Sequence, residues 1–210
     1  FGSRQLAEHN AVVKNLTDVE TLGATSAINS DKTGTLTMNE MTVESLYLAG
    51  EWFSVTGNGY EKRGDIRHVA GTANPDFTPL ALGLTLCSDA TVSDDGDVVG
   101  DPTEAALIVL AAKMGVDAEL TRARYPRAAE VPFDSEYKFM ATFHDIPQAD
   151  GGEQLIAVVK GGPDVVLDRC SSVLTADGPA PITTHRDAVL DANRQLSEKG
   201  LRVLAFAAIP

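Results

Sequence analysis

The sequence predicts an α/β fold in which an antiparallel, twisted β-sheet is flanked by helices. Residues 42–56 alternate apolar and polar side chains, which is typical of strands with one buried face. Residues 137–146 and 153–160 also favour strands, and the Gly-rich connection between them predicts an antiparallel hairpin. No regular alternation of strands and helices follows residue 40, which disfavours a parallel sheet.

The N-terminal part of the chain is predicted to contain short strands and a long loop. A modest strand within residues 19–29 leads to Asp31 and the Gly-containing loop behind it. The strands of residues 42–56 turn at Ala49-Gly50. Residues 57–78 are rich in Gly, Asn, Asp and Pro, so we expect a loop there.

Helices are indicated by their start and stop residues. Thr78-Pro79 begins one helix, since Pro is favoured at the first helical position. Asp101-Pro102-Thr103-Glu104 begins a second, nearly all-apolar and therefore buried helix that ends near Gly115. A short helix is expected to follow Gly161-Gly162-Pro163, and an amphipathic helix spans 186–199 before a strand over 201–208.

The composition is that of an acidic globular protein. The chain has 210 residues, of which 43% are hydrophobic and 22% charged, enough to bury one core. Its formal net charge of −13 argues against nonspecific nucleic acid binding, which requires clustered Lys and Arg. The longest apolar stretch, near residues 105–112, is far shorter than the roughly 20 residues needed to cross a bilayer. We therefore expect a soluble, monomeric chain without a nucleic acid partner.

The cysteines and histidines show no metal-binding pattern. Cys87 and Cys170 are far apart, and the four histidines are scattered, so two buried cysteines in a reducing compartment are expected. Residues 1–10 lack the apolar region of a signal peptide. The first residue is not Met, so we expect an excised or processed piece of a longer protein.

The most specific motif is the string Asp31-Lys32-Thr33-Gly34-Thr35-Leu36-Thr37. A carboxylate at the end of a strand can attack phosphorus as a nucleophile while the amides of a Gly-rich loop hold the phosphate oxygens. The first four residues alone would more often form an ordinary Asx turn. The full string resembles, without a change, the phosphorylation signature of P-type ATPases, and the subgroup it is most similar to is the type II pumps for calcium and for sodium and potassium.

This resemblance implies the roles of the first motif. Asp31 accepts the γ-phosphate of ATP as a phosphoaspartate, with Lys32 and Thr33 as further catalytic residues. Mg²⁺ is shared between Asp31, the Thr33 carbonyl and residues outside this chain. Related phosphatases have an acid where Thr33 stands, so the phosphoaspartate is expected to persist until another group admits water. The implied domains are the start of a haloacid-dehalogenase-like phosphorylation domain (1–40), a nucleotide-binding domain (41–206) and a return hinge (207–210).

The segment Gly100-Asp101-Pro102-Thr103-Glu104 resembles a nucleotide-domain motif of the same pumps. The resemblance implies that Glu104 contacts the adenine amino group, and Thr103 beside it is counted among the nucleotide-binding residues. Glu104 is also a good third-position acid of a capping box, and by itself this structural role is the commoner one. The two roles are compatible.

The segment that begins at Phe133 resembles the adenine-stacking segment of the family, with Lys138 and Met140 at the family's spacing. An exposed Phe offers a face for base stacking worth about 1–3 kcal/mol. Without the resemblance, Phe133 would more often be a core residue.

Lys138 and Lys160 are expected to lie close together across the hairpin. If Ile146 pairs with Glu153, Phe139 lies opposite Lys160, and two neighbouring ammonium groups would repel unless an anion lies between them. Gly161 permits close approach of a ligand to the backbone. The alternative is that both lysines are solvated on an edge strand. The family's usual sequence here is Lys-Gly-Ala-Pro-Glu, from which Gly162 and Asp164 depart conservatively.

Arg202 lies in a segment that resembles the closing strand of the nucleotide domain, whose arginine reaches the phosphate or ribose region. Taken alone, it would be a solvated edge charge. The resemblance as a whole implies the ATP-binding domain of a cation-transporting ATPase, most simply a calcium pump, on the cytoplasmic face of a membrane. ATP, Mg²⁺ and the rest of the pump are its implied ligands and partners.

Two further classes of protein remain open from the sequence. A free phosphatase of the haloacid dehalogenase type would share the Asp31 nucleophile but carry an acid at the position of Thr33. A noncatalytic interaction module would need neither Phe133 nor Lys160. The family's later lysine, its Thr-Gly-Asp segment and its Mg²⁺-binding aspartates are absent from these 210 residues, so we expect ATP binding without sustained turnover.

Overall fold

The computed structural model describes the backbone of residues 25–31 and the complete residues 40–69 and 75–209. Within these residues, eight strands form one sheet in which every neighbouring pair is antiparallel. In their order across the sheet the strands are β4 (Ile66–His68), β3 (Glu51–Val55), β2 (Met41–Leu48), β1 (Thr25–Asp31), β12 (Arg202–Ile209), β9 (Glu153–Gly161), β8 (Phe139–Pro147) and β7 (Arg127–Asp134).

Helices and two small hairpins surround this sheet. The helices in the described ranges are α1 (Thr78–Leu86), α2 (Pro102–Lys113), α3 (Ala118–Arg124), α4 (Pro163–Leu167) and α5 (Arg186–Glu198), with a 3₁₀ turn at Ile182–Thr184. The hairpins pair β5 (Thr91–Val92) with β6 (Val98–Val99), and β10 (Ser172–Thr175) with β11 (Gly178–Pro181).

Each face of the sheet carries its own core because side chains alternate between the faces along a strand. On β9, Ala157 and Val159 pack with residues of α4 and α5. Val158, one residue along, packs against Cys87 just after α1 on the opposite face. Residues of α1, α2 and β2 extend this second core, which we call the α1/α2 face. Lys160 has the same parity as Val158 and therefore points to the α1/α2 face.

The predicted fold class is confirmed, as are the start of α1 and α2 and the β8–β9 hairpin. α2 is buried along almost its whole length, as its apolar sequence predicts. Gly115 and Gly200, the predicted stops, have the positive φ values of 85° and 75° that favour glycine after a helix.

Two expectations about local structure are wrong. The loop expected over 57–78 contains β4 and the start of α1. The hairpin register differs by one residue, since Pro147 pairs with Glu153 and Met140 pairs with Lys160. Pro147 can occupy the last strand position because it needs no amide hydrogen bond there. The elements not predicted were β5–β6, α3, β7 and β10–β11.

The predicted domain boundary at residue 40 stays a prediction. β1 lies on its N-terminal side and pairs with both β2 and β12. None of the helices in the described part of the chain is long and apolar enough to cross a membrane.

Candidate nucleotide-binding site

The first turn of α2 supplies two polar side chains to the candidate site. Asp101 caps this helix, since its Oδ1 accepts hydrogen bonds from the amides of Thr103 (2.8 Å) and Glu104 (3.1 Å). Pro102 follows at the first helical position, where its missing amide proton costs nothing. The cap and the proline fix where the helix begins, so Thr103 and Glu104 both emerge from its N-terminal end. The partial positive charge of a helix N-terminus favours an anion there.

Lys160 is buried and paired with Glu104. Its Nζ donates to Glu104 Oε1 at 2.8 Å, and only 7% of Lys160 is exposed. β9 lies between β12 and β8, so the alternative of a solvated lysine on an edge strand is wrong. A buried ammonium requires a counter-ion. Glu104 provides it, whereas the sequence predicts an anionic ligand between Lys138 and Lys160.

Glu104 makes a second contact that sequence reasoning missed. Its Oε2 accepts a hydrogen bond from the amide of Asp89 at 2.8 Å. The carboxylate therefore does not complete a reciprocal capping box with Asp101. Instead it joins the N-terminus of α2 to β9 and to the loop after α1. Because each carboxylate oxygen has its own donor, the orientation of the Glu104 side chain is defined.

Cys87 lies beneath this arrangement. The residue is completely buried and packs against Met140 and Val158. Burial raises the pKa of its thiol to about 11, against the smaller opposing effect of the nearby Lys160 charge. Cys87 is therefore a core residue rather than a nucleophile at neutral pH. The predicted burial of Cys87 is confirmed, and the residue forms no disulfide.

Arg202 lies on β12 and reaches the same end of α2. Its Nη1 donates to Thr103 Oγ1 at 3.1 Å. Two adjacent residues of α2 thus each contact one cation, Arg202 at Thr103 and Lys160 at Glu104. Arg202 is exposed, in contrast to Lys160, so a ligand can reach its guanidinium from solvent.

Phe133 is exposed because β7 carries a bulge. Val131 pairs with Ala141 and Asp134 with Phe139, so β7 has one more residue than β8 over this stretch. A bulge of this kind changes the direction of the side chains it contains. Phe133 is 61% exposed, which contradicts a core role and leaves a ring face free for stacking.

The bulge lies at the level of Lys160 in the sheet. Met140 pairs with Lys160, and the bulge of β7 lies on the other side of β8, opposite residues 139–141. At strand spacings of about 4.8 Å, the backbones of Phe133 and Lys160 are therefore about 10 Å apart. An adenine ring can span much of that separation.

Lys138 and Gly161 lie where the β7–β8 turn meets the end of β9. Lys138 is exposed and has a φ of 59°, and its carbonyl accepts a hydrogen bond from the Gly162 amide at 3.2 Å. A Cβ on Gly161 would lie 2.5 Å from the Lys138 carbonyl oxygen. Gly161 is therefore required by the hairpin itself. Repulsion between the Lys138 and Lys160 ammonium groups does not determine the structure here, because Lys160 is paired with Glu104.

A match to a family model supplies independent support. Residues 76–210 match the model described as "P-type ATPase, cytoplasmic domain N". The chain belongs to the P-type ATPase family. This confirms the resemblance drawn from the motifs at Asp31, Glu104, Phe133 and Lys160.

Curated members of the P-type ATPase family align along the chain. It is 37% identical to "Cation-transporting ATPase pma1" of Synechocystis over 99% of its length, and 39% identical to "Calcium-transporting ATPase 1" of Lactococcus lactis over 100%. It is 36% identical over 100% of its length to "Calcium-transporting ATPase type 2C member 1" of Pongo abelii. The chain spans 22–23% of the length of these relatives.

The phosphorylation motif falls mainly outside the described residues. The backbone of Asp31 ends β1 and pairs with Met41, whereas Lys32 and Thr33 lie outside the described ranges. The predicted Mg²⁺ ligands, Asp31 and Thr33, therefore stay predictions. Across residues 40–69 and 75–209, no group of three His, Cys, Asp or Glu side chains is placed to hold a metal ion.

Proposed function

We propose that this chain is the ATP-binding domain of a cation-transporting P-type ATPase and holds the nucleotide between the β7 bulge and the start of α2. The observation that carries the proposal is the placement of an exposed aromatic ring, Phe133, at the level of the buried Glu104–Lys160 pair. An aromatic face with a nearby carboxylate suits a base that carries an amino group.

In this arrangement the adenine stacks on Phe133 and its amino group donates to Glu104. Glu104 already accepts from Lys160 and Asp89, but a carboxylate has about four lone-pair sites, so it can accept once more. Lys160 supplies local positive charge beside the ring. The triphosphate extends toward Arg202, whose guanidinium is exposed, with Lys138 as a further exposed cation of the same region.

In the longer protein the bound ATP would phosphorylate Asp31. A carboxylate oxygen bonds to the γ-phosphorus, the bond to the bridging oxygen breaks, and ADP leaves with that electron pair. Mg²⁺ neutralises phosphate charge during such a transfer. The transported ion is proposed to be calcium or a similar cation, because relatives named as calcium-transporting align over the chain's whole length. The domain would then lie on the cytoplasmic side of the pump's membrane.

Titration of the 210-residue chain with ATP, followed by amide NMR shifts, tests the binding site. We expect shifts near Phe133, Glu104 and Lys160, and a large loss of affinity in Lys160→Ala. Asp31→Ala should bind ATP as the unchanged chain does. Lys199→Ala is the matched control, because Lys199 is exposed at the end of α5.

Two results would count against the proposal. Absence of shifts at these residues in millimolar ATP would favour a noncatalytic module. Equal loss of affinity in Lys160→Ala and Lys199→Ala would show that only general charge matters. The expectation that the chain binds ATP without sustained turnover stays a prediction, which release of inorganic phosphate measures.

A further inference from the structure

A loop of four residues, Cys87–Ala90, connects α1 to β5 and is held by an arginine from a different helix. Arg122, on α3, reaches this loop and the end of α1 with all three of its nitrogen atoms. Nε donates to the Thr85 carbonyl (2.9 Å), Nη1 to the Ala90 carbonyl (2.8 Å) and Nη2 to the Ser88 carbonyl (2.9 Å). The guanidinium therefore satisfies carbonyls on both sides of Asp89 at once.

A second arginine holds the same loop from β7. Arg127 Nη2 donates to the carbonyls of Leu86 (3.2 Å) and Ser88 (3.3 Å), and its Nη1 lies 2.8 Å from Asp89 Oδ1. The last carbonyls of a helix carry partial negative charge and lack partners within the helix. Because the end of α1 is buried, these carbonyls require donors, and the two arginines supply them.

The loop held in this way presents one amide to the candidate site. The Asp89 N–H donates to Glu104 Oε2 at 2.8 Å, while Lys160 occupies Oε1. A contiguous path therefore runs from Arg122 through the loop backbone to Asp89 N–H and on to the Glu104 carboxylate. Every step of the path is a hydrogen bond or the backbone of the short loop.

From this path we infer that Arg122 is a positioning residue for nucleotide selection: it fixes the Cys87–Ala90 loop so that the Asp89 amide orients Glu104 toward the amino group of the base. The inference rests on the proposed function, since it gives Glu104 the role of accepting from that amino group. Without the Asp89 donor, the Glu104 carboxylate can rotate about its side-chain bonds and its free oxygen is no longer directed at one place.

The geometry of the contact requires arginine. Three donors in a rigid plane match three carbonyls, whereas a lysine ammonium is one flexible point charge. Arg122 does not contact Lys160, Phe133 or Arg202 through any hydrogen bond among the described residues. Its hydrogen bonds connect it to the candidate site through the Asp89 amide and Glu104, so its effect on the nucleotide should be specific to the base.

The test compares ATP with inosine triphosphate, in which a carbonyl replaces the amino group of the base. Affinities for both are measured by calorimetry for the unchanged chain, Arg122→Ala, Arg122→Lys and Arg124→Ala. Arg124 is the matched control, since it lies on the same helix, is exposed, and has its guanidinium over the Tyr125 ring. We expect Arg122→Ala to lower the preference for ATP over inosine triphosphate by roughly threefold or more, with little change for inosine triphosphate.

Arg122→Lys should also lower the preference for ATP over inosine triphosphate. It replaces Arg122→Ala in the test if that variant does not fold. Arg124→Ala should leave the preference unchanged. An equal loss of affinity for both nucleotides, or no loss for either, would overturn the inference, because a merely structural arginine does not distinguish the two bases.

A second measurement separates this inference from the proposed function. If the unchanged chain shows no preference for ATP, the adenine placement itself is wrong. Amide hydrogen exchange at Asp89 in the nucleotide-free chain then still tests the positioning. Exchange about tenfold faster in Arg122→Ala than in Arg124→Ala would support it, and equal rates would refute it.

Discussion

Lys160 Nζ lies 2.8 Å from Glu104 Oε1, and the two side chains retain only 9% and 16% of their exposure. Desolvation of such a pair costs much of what its attraction contributes, but removal of one partner leaves a buried charge alone. The pair therefore links the stability of the domain to the residues proposed to bind nucleotide.

Glu104→Gln is expected to destabilise the chain. The amide oxygen of Gln can still accept a hydrogen bond, but Lys160 loses its counter-ion, so the free energy of unfolding should fall by about 2–3 kcal/mol. Urea denaturation measures this change. Glu119→Gln is the control, because Glu119 occupies the first turn of α3 but is exposed. Addition of Lys160→Met to Glu104→Gln should recover part of the loss, and a further loss would contradict the buried-charge explanation.

Phe133→Ala should weaken ATP binding without weakening the fold. Loss of a stacking face costs about 1–3 kcal/mol, equivalent to roughly 5- to 150-fold in dissociation constant. The change in unfolding free energy should stay small because the ring is 61% exposed. Fluorescence titration with a labelled ATP analogue measures the affinity, and Phe133→Trp should retain it.

Leu155→Ala provides the control for Phe133→Ala. Leu155 is 48% exposed and lies near the start of β9, whereas Lys160 lies near its end. If both substitutions reduce affinity alike, or neither does, base stacking on Phe133 is wrong.

Arg202→Ala should affect the phosphates and spare the base. Arg202 contacts Thr103 and not the Glu104–Lys160 pair. We expect affinity for ATP to fall by about tenfold, as for one charge-assisted contact, while affinity for adenosine is unchanged. Equilibrium binding of the two ligands decides this, with Arg67→Ala on edge strand β4 as the exposed control. An equal loss for adenosine would move Arg202 to the base end of the site.

Gly161→Ala should disrupt the hairpin. The added Cβ would lie 2.5 Å from the Lys138 carbonyl oxygen and 2.8 Å from Phe139 Cβ, so backbone must move. Such overpacking costs about 1–3 kcal/mol of unfolding free energy. At the neighbouring Gly162 the contact is 3.0 Å to the Asp164 side chain, which can rotate, so Gly162→Ala should cost much less. Thermal denaturation distinguishes the pair, and equal effects would contradict the steric explanation.

Buried His144 should make the chain less stable in mild acid. Its Nδ1 lies 2.8 Å from the Tyr125 carbonyl, so this nitrogen carries the proton of the neutral ring. Burial lowers the pKa of His144 below its ordinary value of 6.5, and the charge of Arg127 adds to the effect. Between pH 6.5 and the lower pKa of the folded state, the unfolded chain binds more protons, so stability falls as pH falls.

For one histidine the slope of this dependence is at most about 1.4 kcal/mol per pH unit. Denaturation midpoints between pH 7.5 and 5.5 measure it. His144→Gln should flatten the curve, whereas His185→Gln, at the half-buried start of α5, should not. A curve unchanged by His144→Gln would assign the dependence to other groups.

The parts of the fold predicted correctly are those specified by local sequence. The cap at Asp101, the prolines of α1 and α2, and the alternation along β2 and β3 act within a few residues, so their signals can be read directly. The two-residue strands β5 and β6 and the single seven-residue helix α3 were missed because so few residues carry too little periodicity to identify them.

The residues of the candidate site could be predicted from the sequence, but the ion pair and hydrogen bonds that connect them could not. Glu104, Phe133, Lys160 and Arg202 could be named from motifs. The ion pair of Glu104 with Lys160 depends on which face of the sheet Lys160 occupies, and a one-residue register difference decides that. Arg122 gave no local signal, since the carbonyls it binds are more than 30 residues away.

The β7 bulge sets a limit on how far this domain can be stabilised without losing its proposed ligand. A Phe ring fully withdrawn from water contributes about 1.5–3 kcal/mol, and the bulge forgoes most of that by keeping Phe133 in solvent. Selection or engineering for solubility and heat resistance alone would favour a polar residue at position 133. If a stabilised relative keeps an aromatic ring at position 133, selection for ligand binding has therefore retained it.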